Sequence, residues 1–386
     1  MKFLFFIFLF SYSYESIAKP YNRIVVFSGG GFEFVQFLGM MEALEESGKK
    51  PDLIIATCGG SLAAMMVANI PDAKSRRDFI LSKDFRSFFR EARPTDKIGS
   101  LWTMYSWYQG RKKEAANKLI PDIFREYLVS LPNSLSVFKF SEGFATSSIP
   151  IVIIGGKVLF EPEHVGQDIK AKLYREIFFT TPNVATYLEG RKSVIAHLAP
   201  ESSIESNISV VTDFKISEAA RAAIASPFLL PPTLIRGEYF VGGSIDLYPL
   251  ELARSLGDEV LMSFGEGYDD SGSGKLVKAT YQYNVNERLQ LVHDLESTWW
   301  VDFSDREQAL KKKDGLGVNA SGFSISFQMP KDDEPFNRHI MAHYDYGKAR
   351  TLEALNQKAS NEKCHIRDMN TQNSSEALRK LCRRVF

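Results

Sequence analysis

The sequence predicts an α/β fold, with three α/β/α layers built around a mostly parallel central sheet. Two segments carry this prediction. The apolar run RIVVF, Arg23–Phe27, opens onto the glycines of SGGG, and apolar residues then recur at helical spacing as far as Gly48. The apolar run LIIAT, Leu53–Thr57, passes through a tight turn at Cys58 into the helical pattern SLAAMMVANI. Apolar strands that alternate with helices are typical of a parallel sheet covered on both faces.

The rest of the chain continues this pattern after one interruption. Residues 70–145 are mixed in character and rich in charge, which predicts an inserted helical segment. Regular structure then resumes with the strands PIVIIGG (150–156), KVLFEP (157–162) and NISVVTDF (207–214), a helix over 217–226, a strand and glycine turn over 237–250, and a helix and strand over 251–267.

The glycine-rich stretch Gly265–Gly274 marks the predicted end of the main domain. Residues 266–386 should form a mixed α/β extension, with a strand near 324–330 and a helix from about Tyr346 to Ser360. The aromatic residues between 85 and 108 fit a lid or a membrane-contact patch, but the core of an inserted subdomain is the stronger expectation.

The N-terminus has the pattern of a secretory signal peptide over residues 1–18. Lys2 precedes the apolar run Phe3–Phe10, and Ser16-Ile17-Ala18 supplies small residues for a cleavage site after Ala18. The run is too short to span a bilayer, which takes about 20 residues. We expect export to the periplasm or beyond the cell; an apolar N-terminal strand or interfacial segment is the alternative. No later stretch reads as a transmembrane helix.

Composition narrows the possible partners. Lys plus Arg equals Asp plus Glu at 47 each, and no long basic block occurs, so nucleic acid is not an expected partner. The 29 Phe suit a large core or an apolar ligand. In an oxidising compartment Cys364 and Cys382 could pair and close the tail, which would leave Cys58 as the odd thiol.

The turn at Cys58 has the residue pattern of a nucleophile elbow. Such a turn is strained, and it needs small residues two positions before and two after the nucleophile because neighbouring backbone packs against it. Ala56 and Gly60 meet this demand, but Cys58 stands where a serine hydrolase would carry serine.

The glycine run upstream is a candidate anion site. Gly29, Gly30 and Gly31 should present backbone N–H groups at the start of a helix, where a fatty-acid carboxylate or a lipid phosphate could bind. A plain strand-to-helix turn explains the glycines equally well. Dinucleotide binding is disfavoured, because that motif needs a glycine where Phe34 stands.

Three segments, in this order, resemble the patatin-like phospholipase family. SGGGFEFVQFLGMMEALEE resembles its glycine-rich segment, DLIIATCGGSL its elbow, and ISEAARAAIASPFLLPP followed by YFVGGSIDLYPLELARSLGDEV the stretch that carries its D-G-G motif. The resemblance implies a patatin-like domain over 23–265, with 70–145 as an insertion or lid. It also implies acyl-ester hydrolysis by a Ser–Asp dyad, with the glycine run as oxyanion hole and no cofactor.

Carried over by position, the catalytic side chains of the family are replaced. Its serine falls on Cys58, its D-G-G aspartate on Val241 and its glycine-segment arginine on Glu33. Val241 cannot accept a proton. A carboxylate of Glu33 close to the thiol would raise the thiol pKa and oppose a developing oxyanion. A thiol ionises more readily than a hydroxyl, which partly offsets the missing base.

Few other residues could replace the lost base or hold a metal. Asp246 lies across the glycine turn but is expected to be a solvated loop residue, and His197 is expected in the core. His339 and His343 are four residues apart with Asp345 nearby, yet an isolated H-x-x-x-H is usually a surface feature. We therefore expect no metal site.

Three functions remain open from the sequence. The leading hypothesis is an exported protein that binds an acyl lipid, a fatty acid, a membrane surface or a protein partner with little or no hydrolysis. The second is an active phospholipase or esterase with Cys58 as nucleophile. The third is a structural or assembly role for the C-terminal region.

Overall fold

The computed structural model describes residues 18–94, 101–132, 134–135, 138, 140, 144, 147–265, 268, 273–293, 295, 297–310, 315–319 and 324–356. Side chains are described at these positions except 32, 93–94, 101–104, 273, 315–319 and 324–328. The predicted signal peptide up to residue 17, the pairing of Cys364 with Cys382, and residues 357–360 of the last predicted helix lie outside the described residues.

The strands of the described chain form one large sheet and two small two-stranded antiparallel sheets. In chain order they are β1 (Tyr21–Phe27), β2 (Leu53–Thr57), β3 (Arg93–Pro94), β4 (Val129–Ser130), β5 (Ile151–Val158), β6 (Tyr174–Phe179), β7 (Ser209–Val211), β8 (Thr233–Ile235), β9 (Glu238–Val241), β10 (Gly257–Phe264), β11 (Trp299–Asp302), β12 (Gly315–Asn319) and β13 (Ser324–Gln328). The two small sheets are β3-β4 and β12-β13.

The central sheet has nine strands and is mostly parallel. Its order is β11-β10-β1-β2-β5-β6-β7, and β9 pairs with both β5 and β8. The five strands from β11 to β5 run parallel, whereas β6 and β9 are antiparallel to β5. Phe27 of β1 is in register with Ala56 of β2, so these two strands end together. The mostly parallel α/β fold expected from the sequence is confirmed.

The helices cover this sheet. They are α1 (Val35–Glu46), α2 (Gly59–Asn69), α3 (Ala73–Ile80), α4 (Lys83–Glu91), α5 (Leu101–Ala116), α6 (Pro182–Ala185), α7 (Val194–Leu198), α8 (Ile216–Ile224), α9 (Leu250–Leu256), α10 (Ser273–Tyr281), α11 (Val285–His293), α12 (Arg306–Leu310) and α13 (Asp333–Asn356). Every residue of β2 is buried, which requires cover on both faces of the sheet.

The C-terminal extension is built into the main sheet. β11 pairs in parallel with β10 and supplies the edge strand, and Trp299 and Trp300 are both buried there. α13 packs along α1, where a Cβ atom at Gly39 would lie 1.9 Å from the carbonyl oxygen of Tyr344. The reciprocal contact occurs at Gly347, where a Cβ atom would lie 2.0 Å from the carbonyl oxygen of Gln36. These two glycines let the helix backbones touch.

Two predicted elements differ in the structure. Residues 150–162 were expected to hold two strands, but β5 runs unbroken through Gly155 and Gly156. These glycines do not turn the chain. Position 156 needs a glycine because the side chains of Ile245 and Val241 pack directly over its Cα atom. The last helix begins at Asp333 rather than near Tyr346, and acidic residues in its first turn mark that start.

The aromatic cluster of the insertion is core in its α4 part, as expected, whereas Tyr105 of α5 is exposed. Phe85, Phe88 and Phe89 of α4 are buried, and all three contact the ring of Phe34 just before α1. Phe336 of α13 packs on the same group. The insertion therefore shares one hydrophobic core with the sheet domain and the extension. Within the described residues, no helix is both long and apolar enough to cross a membrane.

The α1–α13 contact gives a first prediction. Gly39→Ala should lower the free energy of unfolding by about 1–3 kcal/mol or more, because the added methyl group overlaps the backbone of α13. Gly110→Ala in α5 is the matched control, since no atom lies within 4 Å of its added Cβ; it should be neutral or stabilising by up to about 1 kcal/mol. Urea unfolding measures both, and an unchanged Gly39→Ala protein would contradict the contact.

Candidate active site

The elbow predicted at Cys58 is present. Cys58 joins the end of β2 to the start of α2 with φ 46° and ψ −130°, a backbone conformation that side-chain-bearing residues rarely adopt. Strain of this kind persists only where surrounding contacts impose it, and it is typical of a nucleophile elbow.

Close backbone packing imposes this conformation. A Cβ atom at Gly60 would lie 2.2 Å from the carbonyl oxygen of Phe27, and one at Gly59 would lie 2.3 Å from that of Gly31. The start of α2 therefore rests directly on the glycine turn that follows β1. The small-residue requirement read from the sequence at Gly60 is confirmed, and the same requirement holds at Gly59.

The thiol of Cys58 lies among backbone donors. Burial raises the pKa of the Cys58 thiol above its ordinary value, although backbone hydrogen bonds from Gly59, Gly31 and Gly30 act in the opposite direction. The side chain is 8% exposed. The amides that could hold an oxyanion therefore converge on the sulfur, but the net environment favours the neutral thiol.

The other residues of the predicted motif are partly brought to this point. Gly29 lies against the side chain of Leu247, where an added Cβ would come within 2.9 Å, and so contributes packing. Val241 ends β9 and is fully buried. Gly243, two residues later, lies against the elbow, because a Cβ there would be 2.7 Å from the Cys58 nitrogen. The glycine turn after Val241 therefore packs against the elbow, as the Gly31 turn does. The two turns follow β9 and β1, which lie on opposite sides of β2 in the sheet.

Three tyrosines that the sequence did not single out lie near Cys58. Burial raises the pKa of Tyr248, Tyr268 and Tyr281, and the charge of a Cys58 thiolate would raise each further. Their hydroxyls stay protonated at physiological pH, so they can donate hydrogen bonds but are not bases. Tyr281 also hydrogen-bonds Ser244 at 3.1 Å. Their local sequence carries no motif, and only the fold brings them together.

Asp246 is not the solvated loop residue expected from the sequence. It is buried, accepts a hydrogen bond from the Tyr248 backbone at 3.1 Å and pairs with Arg288 of α11 at 3.4 Å. Arg288 also binds Glu251 at 2.5 Å. Burial and then the charge of Asp246 raise the pKa of buried Glu176 to about 8. Asp246 is thus held in an ion-pair cluster, and it is not among the groups that shift the pKa of Cys58.

Glu33 is also engaged elsewhere. It lies in the 3-10 turn Gly31–Glu33 and forms an ion pair of 2.6 Å with Arg306 of α12. No sequence motif points to this partner, because Arg306 is remote in the chain.

The histidine expectations need correction. His197, expected in the core, is exposed in the last turn of α7, a short helix that presents this position to solvent. His339 and His343, expected at the surface, are buried with ring centroids 4.8 Å apart, because this part of α13 packs into the protein. Among the described residues, no group of three or more His, Cys, Asp and Glu side chains is arranged to hold a metal ion.

A family comparison decides the relationship of this chain. The model of the family described as "Patatin-like phospholipase" matches residues 25–253, which is more than half of the chain and includes both turns and the β9 segment. The chain belongs to the patatin-like phospholipase family. The carry-over of patatin-like site positions onto Cys58 and Val241 remains a prediction.

Solved structures show more distant similarity to this patatin-like protein. VipD from Legionella pneumophila is 11% identical, with 88% of this chain and 67% of VipD covered at a TM-score of 0.34. The type III effector protein ExoU is 15% identical, with 86% of this chain and 54% of ExoU covered at a TM-score of 0.27. This chain therefore spans about two thirds of VipD and about half of ExoU. No curated protein matches it.

The environment of Cys58 predicts low thiol reactivity. Because the pKa is raised, the thiolate fraction at pH 7 should be small and should grow as the pH rises toward the folded-state pKa. Alkylation by iodoacetamide at pH 7 should be slower in the folded than in the urea-unfolded protein, because burial raises the pKa of the thiol and limits access of the reagent. Mass spectrometry of the Cys58 peptide separates it from Cys364 and Cys382. Rapid, complete alkylation of the folded protein near pH 7 would contradict this environment.

Proposed function

We propose that this patatin-like protein binds an acyl lipid or fatty acid at the Cys58 turn and hydrolyses it little or not at all. One observation carries the proposal: amide donors surround the thiol, whereas the carboxylates of Asp246 and Glu33 are held in ion pairs with Arg288 and Arg306. The site around Cys58 thus offers hydrogen bonds to an anionic or carbonyl oxygen without offering a base.

A missing base limits turnover more than binding. Attack by a thiol or hydroxyl needs a proton acceptor within hydrogen-bond reach, and the family's aspartate position holds buried Val241. The nearby tyrosines are protonated. In another hydrolase, removal of the whole triad leaves about 10³–10⁴-fold catalysis from the oxyanion hole and binding alone. Residual turnover of that size is the most that this arrangement supports.

The alternative is an acyl hydrolase that uses Cys58 as its nucleophile. The backbone hydrogen bonds from Gly30, Gly31 and Gly59 favour it, because they stabilise a thiolate and a developing oxyanion alike. The raised pKa of the thiol opposes it. A structural role for the C-terminal region is a third proposal, and the integration of β11 into the main sheet gives it no separate support.

Turnover assays distinguish these proposals. With p-nitrophenyl acyl esters and phosphatidylcholine vesicles, the native protein and Cys58→Ala should both show little or no turnover. Cys58→Ser/Val241→Asp should gain activity if the acyl cleft is preserved, because it restores a hydroxyl nucleophile and a carboxylate base. Turnover of the native protein that disappears in Cys58→Ala would instead establish the cysteine hydrolase.

Two controls keep this experiment informative. Cys58→Ser alone separates the nucleophile from the base. An aspartate at the fully buried position 241 could prevent folding. Circular dichroism must therefore show that the double variant folds before a lack of activity is interpreted. Fatty-acid binding by Cys58→Ala should persist, since binding does not need the thiol; its complete absence in every variant would refute lipid binding.

Export is a separate proposal that rests on the residues before Lys19. Expression with the complete N-terminus in a host with a secretory pathway should yield a mature protein that begins at Lys19, because Ser16-Ile17-Ala18 fits a cleavage site. Intact-mass measurement checks this. A mature protein that keeps Met1 and stays with the cytoplasmic fraction would refute it.

A further inference from the structure

Residues 243–248, here called the support segment, pack against both turns of the candidate site. A Cβ atom at Gly243 would lie 2.7 Å from the Cys58 nitrogen, and one at Gly29 would lie 2.9 Å from the side chain of Leu247. Every residue of the support segment is buried. Any movement of this segment must therefore change the packing around Cys58.

Side chains of the C-terminal extension hold the support segment in place. Arg288 of α11 lies 3.4 Å from the Asp246 carboxylate and donates a hydrogen bond of 3.0 Å to the carbonyl oxygen of Tyr248. The Tyr283 hydroxyl donates a hydrogen bond of 3.0 Å to the carbonyl oxygen of Ser244. The ion pair between Asp246 and Arg288 is thus the charged part of this attachment.

A second buried carboxyl group lies beside this ion pair. Glu176 of β6 is directly opposite Gly156 of β5, and opposite residues of antiparallel strands point to the same face of a sheet. On that face Ile245 packs over Gly156, and Asp246 is the next residue. The side chain of Glu176 is therefore directed toward the support segment, where the charges of Asp246 and Arg288 act on it.

The cluster contains more acidic groups than basic ones. Besides Asp246, Arg288 binds both carboxylate oxygens of Glu251 in α9, at 2.6 and 2.5 Å. Glu176 accepts a hydrogen bond from the Ser193 hydroxyl, which carries no charge. Glu176, Asp246 and Arg288 are each 3% exposed. Ionisation of all three carboxyl groups would therefore place like charges close together where little water can screen them.

The Glu176 carboxyl is neutral in the folded protein at neutral pH. Burial, and then the charge of Asp246, raise its pKa to about 8 from the ordinary value of 4.5. A raised carboxyl pKa contributes stability that is complete below the ordinary pKa and is lost as the pH rises through the folded-state pKa. Between these two values, an opening that exposes Glu176 to water becomes up to about tenfold more favourable per pH unit.

We propose that Glu176, Asp246 and Arg288 form a pH-sensitive latch that controls access to Cys58. While Glu176 is neutral, Asp246 stays paired with Arg288 and the support segment stays packed against the elbow. When Glu176 gives its proton to water, it repels Asp246 and competes for Arg288. The support segment then releases and opens the Cys58 turn. The latch does not depend on acyl binding, because it concerns access to this turn whichever ligand binds there.

The rate of Cys58 alkylation by iodoacetamide in the full-length protein tests the latch. The native protein is compared with Glu176→Gln, which keeps position 176 uncharged at nearly the same size. The reagent and the ionisation of an exposed thiol are common to both proteins, so the ratio of their rates reports the charge of Glu176. The ratio of native to variant rate should rise at least about tenfold between pH 5 and pH 8.

The native protein also gives a test that needs no variant. Ionisation of a thiol raises the alkylation rate by at most about tenfold per pH unit. Because opening of the latch adds to this, the native rate should rise more steeply than tenfold per pH unit in part of the range from pH 5 to pH 8.

Glu189→Gln is the matched control, since it removes a carboxylate that is exposed. This variant should keep the pH dependence of the native protein. Urea unfolding midpoints at each pH show that the variants are folded and report their global stability.

Two results would overturn the inference. One is a ratio of native to Glu176→Gln rates that stays constant from pH 5 to pH 8. The other is a native rate that never rises more than tenfold per pH unit. If the unfolding midpoints of the two proteins diverge with pH while the ratio of rates stays constant, Glu176 acts on global stability alone and the latch is refuted.

Discussion

The candidate site depends on a backbone-to-backbone contact between two turns. β1 and β2 are neighbours in register and end at the same edge, so the turns that follow them must pack together. They can do so only because Gly59 and Gly60 leave room for the carbonyl oxygens of Gly31 and Phe27. This contact orients Cys58 and brings the Gly30 and Gly31 amides to its sulfur. None of it requires a particular side chain at position 58, so the shape of the site is independent of its chemistry.

That independence explains which parts of the site could be predicted from the sequence. The elbow was predictable because its requirement is local: small residues on either side of Cys58. The tyrosines at 248, 268 and 281 were not predictable, because each reaches the site from a different segment through tertiary packing. Asp246 was misread for the same reason, since its partner Arg288 lies on a distant helix.

The order of strands and helices was predictable. The prediction was less accurate where a glycine could either turn the chain or make room for a packed side chain. Gly155 and Gly156 suggest a turn, yet they lie inside β5 because other side chains pack closely over them. The start of α13 is hard to predict although Asp333 and Glu334 mark it, because the apolar periodicity of this segment is weak: several of its buried positions hold polar residues such as His339, His343 and Arg350. Local patterns specify elements, whereas the contacts between them decide how a glycine or an acidic residue is used.

The position of β1 has a consequence for how the chain folds. β1 begins at Tyr21 and lies between β2 and β10, and β10 does not begin until Gly257. During synthesis one edge of β1 therefore stays unpaired until more than half of the chain has been made. Pairing over such a sequence separation is slow, and an unpaired apolar edge invites association with other chains. Among the described strands, β1 is thus the first to be made and among the last to be completed, and chaperone protection of the nascent chain should matter most there.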